Sequence, residues 1–117
     1  MFIRCLFFFE ISKHLPLSFL QEKETCKDFI PIIFVNKFNS QDAKLKKMSE
    51  KIWDYYCESF GDAKKLCELL ASEIVAEVSI NLDSVAYKDR IAASVAFKEI
   101  VPFCKDELLV QQTVDKL

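Results

Sequence analysis

The stretch SQDAKLKKMSEKIWDYYCESF, residues 40–60, runs through Gly61 and Asp62 into KKLCELLASEIVAEVSINL, residues 64–82. Its reading decides the fold class. In the first part apolar residues recur at Leu45, Met48, Ile52 and Tyr55 or Tyr56, and Trp53 widens the stripe. Three-to-four spacing places them on one helical face. The second part repeats the pattern with Leu66, Leu69, Leu70, Ile74, Val75, Val78 and Leu82, while Lys64, Lys65, Glu68, Glu73 and Glu77 occupy much of the other side. Between the two stands Gly61, the only glycine of the chain, where a left-handed residue would end a helix. Asp62 follows as a cap for the next helix. The pair reads as a helical hairpin. Ser40 is the predicted N-cap of its first helix, with Asp42 in the first turn, where the helix dipole favours an anion.

Downstream, Asn81, Asp83 and Ser84 supply turn chemistry. A third helix is predicted over residues 88–103 from Ile91, Ala92, Val95, Ala96, Ile100 and Phe103, with Pro102 stopping it near its end. The small side chains of Ala92, Ala93 and Ala96 allow a neighbouring helix to approach closely. A fourth helix is predicted over residues 105–117, carrying Leu108, Leu109, Thr113, Val114 and Leu117 on a face with no partner in the chain. Upstream, residues 17–37 are mostly apolar, and Pro31 predicts a kinked or broken helix. The β-branched residues of 29–35 also suit a buried strand. No partner strand is visible, so the pattern favours helix.

Residues 1–25 read as an apolar leader, partly helical or poorly ordered. The burst Cys5 to Phe9 resembles the start of a signal peptide, but Glu10, Lys13 and His14 interrupt it and no small-residue cleavage site follows. It is too short to span a membrane.

A hydrophobic content of 51% is enough to build a core, and a single glycine argues against tight β-hairpins and phosphate-binding loops. With 16 basic and 18 acidic residues, the net charge of −2 exerts no overall pull toward nucleic acid or an anionic membrane. Lys44, Lys46, Lys47 and Lys51 form a local basic run, diluted by Glu50 and Asp54, that reads as a solvated helix face. The five cysteines, Cys5, Cys26, Cys57, Cys67 and Cys104, are widely spaced, no CxxC pair occurs, and His14 is the only histidine. That set offers no zinc site, and reduced, buried thiols are the expectation.

No catalytic, cofactor-binding or metal-ligating residue is predicted. His14 with Cys5 or Cys26 lacks a third orienting group and an oxyanion nest. Glu73 and Glu77 share a face but have no Glu-x-x-His companion. Trp53 has the chemistry of an interface anchor, yet it lies beside the apolar stripe and reads as core. Arg90 beside Asp89 reads either as a polar ladder between repeats or as an exposed ion pair.

The segments DAKL, residues 42–45, and KDRI, residues 88–91, occupy similar places in their units. Their separation matches the roughly 40–47 residues of HEAT or armadillo arrays. The fold class expected is therefore all-α: stacked antiparallel helix pairs over residues 26–117, forming a HEAT-repeat-like α-solenoid segment. Such arrays work as binding scaffolds.

The segment FIPIIFVNKFNSQD, residues 29–42, with KMSEKIW, residues 47–53, resembles one repeat of the large HEAT-repeat proteasome adapter and scaffold family. YKDRIAASVAF, residues 87–97, is similar to the second helix of the following unit. Asn36 to Asn39 stands where that family's pattern has a His-Asp pair. The resemblance implies a fragment of a non-enzymatic adapter without cofactors, whose partners are proteasome subunits, located in cytoplasm and nucleus with links to endomembranes. Neither nucleic-acid binding nor membrane insertion is expected, and a segment cut from an array should self-associate through its uncovered faces. The alternative is a small secreted, disulfide-linked helical bundle that binds a hydrophobic ligand, suggested by the N-terminal burst and eleven phenylalanines.

Overall fold

Gly61 and Asp62 make the sharpest turn of the chain. In the computed structural model, which describes residues 23–117 and side chains from Phe29 onward, helix α2 (Ala43–Phe60) ends where Gly61 takes φ +100° and donates its N–H to the Glu58 carbonyl at 3.3 Å. Helix α3 (Ala63–Leu82) starts two residues later, capped by the intervening Asp62, whose Oδ1 accepts the Lys65 amide at 2.8 Å. Both devices follow the sequence reading. Asp62→Ala removes one acceptor from four orphan amides and is expected to destabilise by about 1 kcal/mol. Chemical denaturation of the two proteins side by side checks this; an unchanged midpoint would show that the cap does no work.

Three further helices complete the described fold: α1 (Lys23–Asn36), α4 (Tyr87–Ile100) and α5 (Glu107–Val114), with a 3₁₀ turn at Val101–Phe103 between the last two. Among the described residues there is no strand, so the 29–35 segment is helical, as the pattern favoured. The leader predicted over residues 1–25 lies almost wholly outside the described residues.

Several boundaries differ from expectation, each for a local reason. Helix α1 runs through Pro31 without a break. Proline removes one hydrogen bond, but Ile30, Ile33, Phe34 and Val35 around it are buried against α2 and α3, and packing of that face outweighs the local penalty. The α2 cap is Asp42 rather than Ser40: Asp42 Oδ1 accepts the Leu45 amide at 3.2 Å, while Ser40 sits in the preceding turn with its N–H on the Phe38 carbonyl. The third predicted helix stops at Ile100, with Pro102 inside the 3₁₀ turn that follows. The fourth starts at Glu107, where Asp106 Oδ1 accepts the Leu109 amide at 3.1 Å, and ends at Val114.

Helix α3 is the hub, packing against α1, α2, α4 and α5. Its buried residues are Leu66, Cys67, Leu70, Ala71, Ile74, Val75 and Val78. They meet Leu45, Ile52, Trp53 and Tyr56 of α2 and the small stripe Ala92, Ala93 and Ala96 of α4, all buried. The alanines let α4 lie close to α3, as their size predicted. Leu69 and Val95 fall on the apolar pattern yet emerge partly exposed. Helix α3 also bends at Leu70 (φ −114°, ψ 15°), with no proline or glycine nearby to cause it.

Candidate functional site

The polar architecture of the chain is concentrated at helix ends. Asp42 joins two of them: beyond capping α2, its Oδ2 accepts from Lys88 Nζ of α4 at 3.3 Å. The Leu45 amide first, and then the Lys88 ammonium, hold the Asp42 carboxyl below the usual carboxylate range. Arg90 does not pair with Asp89. Its Nη1 donates to the Ser84 carbonyl at 2.8 Å and the Val85 carbonyl at 3.2 Å, while Asp89 Oδ2 accepts from Ser84 Oγ at 3.2 Å. The two charges serve the α3–α4 turn, which corrects both sequence readings of this pair.

Trp53 is 5% exposed and belongs to the core. Its ring meets Phe34 edge-on at 5.0 Å, and Phe34 meets Phe38 at 5.4 Å. Over this trio lies the Lys37 ammonium, 4.7 Å from the Trp53 centroid and 4.8 Å from those of Phe34 and Phe38. Burial pulls the Lys37 pKa below its ordinary value, against the opposing pull of nearby thiols and carboxylates. Sequence reasoning missed this cluster. The spacing of Phe34, Lys37 and Phe38 was a signal for two of the rings, but Trp53 comes from another helix.

Cys57, Cys67 and Cys104 are free thiols. Burial, then the neighbouring Cys67, pushes the Cys57 thiol up to about 11, and burial raises that of Cys67 as well. A protonated thiol is a poor nucleophile, so neither is poised for covalent catalysis at neutral pH. Cys5 and His14, along with the Cys26 side chain, lie outside the described residues. Glu77 is engaged locally, accepting from Asn81 Nδ2 through its carbonyl and Oε1. Among the described residues no group of three or more His, Cys, Asp or Glu side chains could hold a metal ion, and no helix is long and apolar enough to cross a membrane.

Concavities open on the described surface. One of about 430 Å³ lies beside the bend of α3, lined by Glu68, Leu69, Ser72 and Glu73 on one side and by Phe103 and Lys105 on the other. The conspicuous surface feature is apolar. Around the α3–α4 turn, Ile80 in the last turn of α3 is 66% exposed, Val85 in the turn 99%, and Tyr87 at the start of α4 65%. Lys116 Nζ donates to the Ser79 carbonyl at 3.2 Å and to Asp83 Oδ2 at 2.6 Å, drawing the end of α5, with exposed Val114 and Leu117, to the same end of the molecule. Comparison of the chain with protein-family models, with curated proteins and with solved structures finds no match.

Proposed function

We propose that this chain is a non-enzymatic protein-binding scaffold segment, built of HEAT-like helix pairs and acting as an adapter for proteasome subunits. The observation that carries the binding role is the exposure of large apolar side chains near the α3–α4 turn, Ile80, Val85 and Tyr87, and at the end of α5, Val114 and Leu117. Large apolar side chains gathered on one surface favour a protein partner. The repeat reading rests on the sequence spacing of residues 42–45 and 88–91; in the fold the starts of α2 and α4 are linked by the Asp42–Lys88 ion pair alone. The proteasome as partner rests on the sequence resemblance of residues 29–53 and 87–97.

Binding of the purified chain to purified proteasome particles tests the reading. Ile80→Asp with Val85→Asp changes only exposed positions, so folding should persist. Loss of two apolar anchors is expected to weaken binding about tenfold or more. No binding by the natural sequence, or equal binding by the double variant, would overturn it.

A further inference from the structure

The exposed face of α2 carries a divided charge stripe. Its buried side is Leu45, Ser49, Ile52, Trp53 and Tyr56. Diametrically opposite stand Lys44, Lys47, Lys51, Asp54 and Glu58, all exposed and spaced three or four apart. The stripe spans about 21 Å along the helix, with three cations followed by two anions.

This order is unfavourable in an isolated molecule. Helix N-termini favour anions and C-termini favour cations; Asp42 at the N-cap meets the first preference, but Lys44, Lys46 and Lys47 follow it directly, and the last turn carries no basic residue. Lys44 with Lys47, Lys47 with Lys51, and Asp54 with Glu58 are like-charge neighbours at three or four residues, while Lys51 with Asp54 is the one opposite-charge neighbour on the stripe, and Glu50, beside the stripe, stands three residues from Lys47. Among the described residues none of these five side chains makes an ion pair or a hydrogen bond; the one ion pair within the helix joins Lys46 and Glu50 at 3.8 Å, off the stripe.

We infer that this face is a self-complementary interface on which a second copy of the chain docks, α2 antiparallel to α2. A two-fold axis crossing the helix at the level of Ile52 and Trp53 sets Lys47 against the second copy's Glu58 and Lys51 against its Asp54. It brings Lys44 to the level of the exposed Asp62. Symmetry doubles each pair, as a two-fold interface requires. The antiparallel arrangement also places each positive helix end beside a negative one, so both the charges and the dipoles become complementary. No uniformly acidic or basic partner satisfies both halves of the stripe, whereas a second copy presents the matching order by symmetry.

Salt separates this association from adhesion through the apolar end. Charge pairing at the surface weakens as ionic strength rises, whereas apolar association does not. Sedimentation of the full chain at low and high salt, together with two charge-reversed variants, decides the matter. Lys47→Glu with Lys51→Glu makes the stripe mostly acidic, and Asp54→Lys with Glu58→Lys makes it wholly basic. The expected result is a dimer of the natural sequence that dissociates at high salt, monomers for each variant alone, and a one-to-one heterodimer when the variants are mixed. The heterodimer shows that both variants are folded. A natural chain that is monomeric at low salt, a dimer indifferent to salt, or variants that stay monomeric on mixing would each overturn the proposal.

Discussion

Trp53→Ala is expected to destabilise the chain by about 3–5 kcal/mol, a loss measured as a lowered denaturant midpoint. A small domain is held by about 5–15 kcal/mol in total, so the variant should lose a third or more of its stability at the middle of that range. The size of the effect follows from three losses at one position. Trp53 is buried where α1 meets α2, so truncation leaves a cavity as well as removing apolar area from the core. Its edge-on contact with Phe34 disappears, which is worth about 0.5–1.5 kcal/mol beyond burial. Lys37 also loses one of the three rings under its ammonium. Trp53→Phe keeps much of the area and should recover a large share of the stability. A loss below about 1 kcal/mol for Trp53→Ala would instead fit a surface anchor.

Ile74→Ala is expected to cost about 2–5 kcal/mol, the second large effect. Ile74 is fully buried at the middle of α3, the helix on which the other four pack. A cavity there is walled by elements that cannot all move in together, and partial collapse is what normally reduces such costs. Leu69→Ala on the same helix deletes a similar side chain from a position facing the groove, more than a third exposed. It should cost less than about 1 kcal/mol. Thermal and denaturant unfolding of the two variants compares equivalent chemistry at different depths. Equal losses would mean that α3 presents a different face to the core.

The helices were legible because their signals are local. The periodic stripes of residues 40–60 and 64–82, the lone glycine and the Asp62 cap are all contained within one or two turns of chain. The boundaries were less legible for the same reason. Ser40 and Asp42 are both competent caps, and the choice fell to Asp42, which also reaches Lys88, 46 residues away. Pro31 predicts a kinked or broken helix from local sterics, and no break occurs because the face around it is packed into the core. The bend at Leu70 has no residue type to announce it.

Surface features divide in a similar way. The charge stripe of α2 can be read from spacing once the helix is placed, although the basic run by itself resembles an ordinary solvated face. The Lys37 cluster needs a ring from a second helix. The apolar end needs Lys116 to fasten α5 beside the α3–α4 turn, a contact 33 residues apart in sequence.

The central claim is that the end bearing Ile80, Val85, Tyr87 and Leu117 is a protein-binding surface. Hydrogen exchange of the chain, alone and with an excess of purified proteasome particles, tests it most directly. The account predicts added protection at the α3–α4 turn and in the last turn of α5, with the amides of central α3 already slow in the free chain. Exchange unchanged by the particles, or protection that avoids this end, would contradict it.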